Sequence, residues 1–225
     1  MNVLVLTRPD DEFGYAHVVE ALKRKGARVW LFDTHRFPGE LGLTWTGPGE
    51  GWLQLDDGRL ALSDIDAVWC RRLDFGRGLP EHLPLGVRMA STLEAAMVLM
   101  GSLVDSGAFF LDPQDRVHRA RNKALQLRLA RDLGIDVPRT LETNDPAEAR
   151  AFIAELGCPV IAKMYTNANI SGGTVFTNVL SADDIDALDG LRACPMILQE
   201  AVPKHSELRV VVAGRRLFTV ELPHV

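Results

Sequence analysis

The chain opens on an uninterrupted apolar run, Val3-Leu4-Val5-Leu6, that ends at Thr7-Arg8-Pro9-Asp10-Asp11. A run this short and continuous, with a polar exit, predicts a strand buried on both faces of a parallel sheet. Tyr15, Val18, Val19 and Leu22 then recur at helical spacing, Lys23, Arg24 and Lys25 suit the carboxyl end of a helix, and Gly26 can cap it. Residues 28–32 read as a second strand, so the chain begins with a βαβ unit of right-handed crossover. Over residues 42–62 the pattern changes to short strands, and Asp56-Asp57-Gly58 sits between Trp52-Leu53-Gln54-Leu55 and Arg59-Leu60-Ala61-Leu62 as a hairpin turn, which predicts a β-meander.

Asp66-Ala67-Val68-Trp69 returns to an apolar strand that ends in Arg71-Arg72. Residues 83–104 carry Val87, Ala90, Leu93, Met97, Val98 and Met100 at helical recurrence, with the methionines expected as core filler. Phe109-Phe110-Leu111 forms a short strand closed by Asp112-Pro113, and a first domain is expected to end near residue 113. One helix should follow, started by Asp112 or Asp115 and stopped by Gly134, with Val117, Ala120, Ala124, Leu125, Leu129 and Leu133 on one face and Lys123 off it. Asn144 or Asp145 caps a further helix that ends at Leu156-Gly157, and the strand Pro159-Val160-Ile161-Ala162 closes on Lys163. Ser181-Ala182-Asp183-Asp184 has the form of a capping box in which Asp replaces the usual Glu. Met196-Ile197-Leu198 runs into Gln199-Glu200-Ala201-Val202, and a hairpin follows with Glu207 and Arg209 two residues apart on its first arm and Gly214-Arg215 at its turn.

At 225 residues and 47% hydrophobic content the chain can bury sizeable cores in one large or two small domains. Its 25 basic and 30 acidic residues are interspersed at a net charge of −5, so no field favours nucleic acid or an anionic membrane, and neither is expected as a partner. Cys70, Cys158 and Cys194 are odd in number and widely spaced, which suits free thiols in a reducing, cytoplasmic setting, and the start lacks the cationic lead-in and length of a signal peptide. The six histidines show no ligand spacing, so no metal site is expected within the chain. The first turn has no G-x-G-x-x-G and its acids would repel a pyrophosphate, and G-x-x-x-x-G-K-[ST] is absent, which argues against dinucleotide-binding and P-loop folds.

Lys123 and Lys163, on separate elements, can approach a polyphosphate from two sides, and the loop holding Gly172-Gly173 lets backbone N–H groups come close to it. Taken singly these features are bland: a helical lysine is usually solvated, a strand-end lysine merely exposed, and Gly-Gly a plain turn. In order, however, the phrases NKALQLRLARDLGIDVPRT, TNDPAEARAF, PVIAK and ILQEAVPKHSELRVVVAGRRLFTVEL closely resemble the ATP-grasp superfamily, in its branch of ribosomal-protein-S6-modifying and microviridin-type peptide-maturase ligases. The resemblance implies an α/β fold: an N-terminal parallel-sheet pre-ATP-grasp domain over residues 1–113, then an α+β ATP-grasp lobe over 114–225 that is incomplete at its C-terminus. It also implies ATP as nucleotide, with Lys123, Lys163, Gly172 and Gly173 at the phosphates, adenine along Gln199-Glu200-Ala201-Val202 through backbone groups near Glu200 and Val202, and the ribose hydroxyls on Glu207.

Trp69-Cys70-Arg71-Arg72 is similar to a Trp/Tyr-x-Arg-Arg motif of the same ligases, which would set Arg71 and Arg72, with Arg209, against substrate carboxylates or phosphates. The alternatives are that Arg71 and Arg72 form structural ion pairs and that Glu207 and Arg209 pair with each other. Family members continue with carboxylates that hold two Mg2+ ions, and those are expected beyond residue 225, so this chain by itself is expected to be a poor catalyst and a fragment of a longer ligase. The function implied is an ATP-dependent carboxylate–amine or carboxylate–hydroxyl ligase that acts through an acyl-phosphate on a peptide or protein carboxylate, with homo-oligomerisation left open. The alternatives are a non-catalytic module that binds ATP or an acidic peptide, and a kinase built on the same clamp.

Overall fold

The computed structural model describes residues 1–11, 14–166, 169–170, 173–174 and 177–222. It divides into two compact units, residues 1–121 and 122–225. In the first, β1 (Asn2–Thr7), α1 (Tyr15–Arg24), β2 (Arg28–Asp33), β3 (Gly42–Gly47), β4 (Glu50–Leu55), β5 (Gly58–Ala61), β6 (Ala67–Cys70), α2 (Leu85–Asp105), β7 (Phe109–Leu111) and α3 (Gln114–Ala120) follow in chain order. The second holds α4 (Lys123–Asp132), β8 (Thr140–Thr143), α5 (Pro146–Leu156), β9 (Val160–Lys163), β10 (Asn169–Ile170), β11 (Gly173–Thr174), β12 (Asn178–Val179), α6 (Ala182–Asp186), β13 (Met196–Glu200), β14 (Glu207–Ala213) and β15 (Arg216–Leu222).

The apolar run of β1 becomes the centre of a four-stranded parallel sheet in the order β2-β1-β6-β7. Successive strand residues point to opposite faces. Val3 and Val5 therefore meet Val19 of α1 and Ala27, whereas Leu4 and Leu6 join Trp30, Phe32 and Val68 in the larger core. That larger core is completed by Leu99 and Leu103 of α2, by Leu53, Leu55 and Leu60 of the meander β3-β4-β5, and by Leu62 in the turn after it. Gly51 is required within β4: it sits at φ 139°, and a Cβ there would lie 2.2 Å from the Thr44 carbonyl oxygen.

Helix α2 departs from the expectation that its methionines fill the core. Its buried stripe is Ala95, Leu99, Ser102 and Leu103, with Met100 packed partly against it, whereas Met89, Leu93 and Met97 are 59%, 66% and 72% exposed. The helix is apolar nearly all round, so periodicity alone could not choose its inner face; it is also long and apolar enough to cross a membrane.

The single helix expected after Pro113 is two helices. Asn122 takes an extended conformation and its side chain accepts a hydrogen bond from the Leu125 amide at 2.9 Å, which ends the preceding turn and makes Lys123 the first residue of α4. Neither helix has a buried residue, and Leu129 and Leu133, expected on an inward stripe, are 50% and 77% exposed. The second unit is organised by the antiparallel sheet β12-β9-β13-β8. Helix α5 begins under the Asp145 cap, with Pro146 at its first position, and stops at Gly157 in the left-handed region; α6 begins in the full Ser181–Asp184 capping box. Both helices lie over the sheet face that carries Leu141, Val160, Ala162 and Leu198.

Candidate functional site

In the first unit, the carboxyl ends of the parallel strands gather a charged cluster, as strand ends do in open α/β sheets. Arg71 and Arg72 follow β6, and the Arg71 amide still donates to the Leu6 carbonyl. Both guanidiniums turn to Asp11: Arg71 Nε lies 3.2 Å from Oδ2 and Arg72 Nε 3.3 Å from Oδ1. Asp11 is 1% exposed and also accepts from the Thr7 hydroxyl at 3.0 Å. Its contact with Arg72 is close in charge but poorly aligned for hydrogen bonding. A second carboxylate, Asp74, faces Arg8, His35 and Arg77 through one oxygen at 3.5, 3.2 and 3.1 Å. Sequence reasoning read the acids of the first turn only as repulsive to phosphate; one of them is the buried counter-ion of the two arginines. Cys70, between Trp69 and Arg71, has its thiol pushed up to about 11 by burial and is no nucleophile at neutral pH.

In the second unit, strand register sorts the side chains. Opposite residues of antiparallel strands share a face. Glu142, Ile197 and Lys163 occupy one rung across β8, β13 and β9, and Thr140, Gln199 and Ile161 the next but one. These lie on the face opposite to Leu141, Leu198 and Ala162, which α5 covers. The sheet therefore has a packed face and a face that carries a lysine, a carboxylate and two hydrogen-bonding side chains.

Lys163 Nζ donates to Gln199 Oε1 at 2.6 Å, and Gln199 Nε2 donates to Thr140 Oγ1 at 2.6 Å. The Lys163 ammonium is held below the usual lysine range, first by desolvation and then by the charge of Lys123, with Glu142 opposing. The structure thus brings Lys123 and Lys163 within electrostatic reach of one another. Tyr165, two residues past Lys163, donates to Glu142 at 2.6 Å. This phenol ties the segment after Lys163 to Glu142 on β8. Neither Glu142 nor Tyr165 was among the residues expected from sequence. Alternation in Thr140-Leu141-Glu142-Thr143, with a buried leucine between polar neighbours, was the available signal.

The remaining residues spread along the chain. Gly172 lies outside the described residues, and Gly173 stands opposite Ile170 in the β10–β11 pair. Glu200 is committed within its lobe: its amide donates to the Arg139 carbonyl at 2.9 Å and its carboxylate accepts from the Arg139 amide at 3.3 Å. The Ala201 amide donates to the Pro159 carbonyl, and Val202 is 57% exposed. Glu207 is met by Lys204 Nζ at 2.8 Å, and Arg209 sits on β14 opposite Val220. Among the described residues no group of three or more His, Cys, Asp or Glu could hold a metal ion.

A parallel-sheet domain followed by an α+β lobe is the layout of an ATP-grasp ligase. The chain belongs to the MvdD pre-ATP grasp domain family, whose model matches residues 2–118. It is similar to the macrocyclase MdnC of Microcystis aeruginosa MRC, solved bound with precursor peptide MdnA, at 35% identity and a TM-score of 0.91 over 98% of this chain and 72% of that one. A RiPP-associated ATP-grasp ligase of Chryseobacterium gregarium, solved with ADP and a leader and core peptide, is similar at 32% identity and a TM-score of 0.82 over 98% of this chain and 68% of that one. A probable alpha-L-glutamate ligase of Xanthomonas oryzae pv. oryzae is 28% identical over 96% of this chain and 67% of its own length.

Proposed function

We propose that the chain is the platform and nucleotide-holding lobe of an ATP-dependent ligase that joins a peptide carboxylate to an amine or hydroxyl. The observation that carries this reading is the Lys123–Lys163 pair. Two ammonium groups repel each other on a half-buried face where one carboxylate, Glu142, opposes them, and a polyphosphate would relieve that repulsion. The residues present fit such a ligand: Lys163 has one N–H fixed by Gln199 and two left for phosphate oxygens, and Lys123 projects from the amino end of a helix, where anions are favoured. Because the Glu200 and Ala201 amides are already bonded, an adenine edge along this segment would be met at Val202, and Glu207, now met by Lys204, would take the ribose.

In the reaction proposed, a substrate carboxylate oxygen bonds to the γ-phosphorus as the bridging P–O bond to ADP breaks. An amine or hydroxyl then attacks the acyl carbon, phosphate leaves with the C–O electron pair, and the nucleophile's proton is released. ATP-grasp ligases use ATP and Mg2+; the metal supplies charge neutralisation at the phosphates, and Lys123 and Lys163 hold and orient them. Arg71 and Arg72 have a structural duty at Asp11, and contact with a substrate carboxylate would be added to it. The peptide complexes of the MdnC and C. gregarium relatives support a peptide substrate. Calorimetric titration of ATP into the wild type, Lys163→Ala and Glu207→Ala tests the reading: binding by the wild type and loss in both variants supports it, and negligible binding by all three overturns it.

A further inference from the structure

Gln199 falls in the segment expected to read adenine, yet its side chain does something else. It is 6% exposed, and both ends of its amide are occupied. Oε1 accepts from the Lys163 ammonium and Nε2 donates to the Thr140 hydroxyl, each at 2.6 Å. The Thr140 hydroxyl lies 2.9 Å from the Pro138 carbonyl. A hydroxyl has one proton, and a carbonyl can only accept it, so Thr140 donates to Pro138 and must accept from Gln199. That fixes the amide's orientation, with its NH2 toward Thr140 and its oxygen toward Lys163. The flipped amide would set donor against donor at Lys163 and acceptor against acceptor at Thr140.

Strand register makes the contact possible. Gln199 is opposite Thr140 on β8, and Lys163 on β9 is opposite Ile197, two residues back along β13, so Lys163 reaches Gln199 along the diagonal of one sheet face. We propose that Gln199 is a positioning residue that acts through Lys163: the Thr140–Gln199 relay holds the ammonium on the ligand face of the sheet, with two N–H groups left for phosphate oxygens. The inference rests on the nucleotide reading above and adds to it that Gln199 serves the phosphates and not the base.

The test compares ATP with ITP, which has an oxo group where adenine has its amino group. Dissociation constants are measured for the wild type, Gln199→Met, Gln199→Glu, Thr140→Val, Lys163→Ala and the Lys163→Ala/Gln199→Met double variant, with thermal melts to check folding. Gln199→Met is expected to weaken both nucleotides by the same factor, about tenfold for one charge-assisted hydrogen bond, so the ATP/ITP ratio is unchanged. Thr140→Val weakens both in the same direction, and Gln199→Met adds nothing in the Lys163→Ala background. Gln199→Glu keeps the acceptor, retains most of the affinity and shifts the alkaline limit of binding to higher pH, because a carboxylate beside Lys163 holds its proton. The other titratable groups acting on that ammonium are Lys123 and Glu142, and the Tyr165 phenol donates to Glu142. A loss confined to ATP, or a Gln199→Met effect that persists at full size without Lys163, overturns the proposal while leaving ATP binding intact. A wild type that binds neither nucleotide removes the nucleotide reading and this inference together.

Discussion

Glu142 and Lys163 flank Ile197 on the two strands beside β13, each in direct register with it, so a carboxylate and an ammonium share one face of the antiparallel sheet. Ile197 between them is 1% exposed. Strand alternation puts chemistry on this face while Leu141, Leu198 and Ala162 serve the core on the other, and one strand, β13, supplies both. The charges are not matched in strength: desolvation and Lys123 lower the Lys163 pKa, and Glu142 only partly restores it. A site of that kind is poised to gain an anion.

The lowered Lys163 pKa sets the sign of two pH effects. Between that value and the ordinary 10.5, the folded protein has shed a proton that the unfolded chain still holds, so the contribution of Lys163 to stability rises with pH across that window. Affinity for ATP moves the other way, falling over the same window as the ammonium is lost. Melting and calorimetry along a pH series, for wild type against Lys163→Met, should show both slopes vanish in the variant, and Lys163→Arg should flatten the affinity profile because guanidinium stays charged.

Tyr165 offers a spectroscopic handle on the same cluster. Its phenol donates to Glu142, so ionisation would set two negative charges together and the pKa is raised above 10.0. Only Tyr15 shares its pH-dependent tyrosinate band, since the chain has two tyrosines. In a Tyr15→Phe background the tyrosinate titration should lie above that of a free phenol and fall back in Glu142→Gln. Saturating ATP, by competing for the lysines that balance Glu142, should move it as well. An unchanged titration in Glu142→Gln would show that the contact does not hold in solution.

Asp11 is the electrostatic keystone of the platform. Replacement by Asn keeps the volume and the Thr7 contact but leaves Arg71 and Arg72 without their buried counter-charge. Losing one partner of an enclosed ion pair costs roughly 3–5 kcal/mol; these guanidiniums are 28% and 38% exposed and water recovers part of that, so about 2 kcal/mol is expected. Urea unfolding of Asp11→Asn measures it, and a loss below about 0.5 kcal/mol would mean that the Asp11 charge is not what holds the two arginines.

Much of the fold was legible because local chemistry and global packing agree. The unbroken run of β1, the Asp56-Asp57-Gly58 turn and the Ser181–Asp184 box each carry their own signal, and each appears in the structure. Where two readings were equally good locally, tertiary packing decided. Apolar residues on both sides of Asn122 stay in helical phase, which concealed the break, and α2 is apolar nearly all round, which concealed its inner stripe. Asp11 and Glu142 were illegible for another reason: a carboxylate's partner is set by strands distant in sequence, Arg71 and Arg72 for the first and the rung through Ile197 for the second.

The Asn122 break has a consequence for ligand binding. By capping α4 it fixes Lys123 at the first helical position, so one side chain sets the direction of a lysine and of the helix that bears it. Asn122→Ala removes the cap and should cost about 1 kcal/mol, concentrated in α4 and visible as faster amide exchange there. Asn122→Ser and Asn122→Asp both restore a cap and should recover that stability. Their ATP affinities should separate: Ser returns close to wild type, whereas Asp sets a carboxylate beside Lys123 and stays weakened, most at low salt where screening is least. If all three variants bind ATP as the wild type does, the capped geometry of Lys123 is unconnected with the nucleotide. If Asp recovers affinity along with stability, the phosphates do not approach this end of the helix.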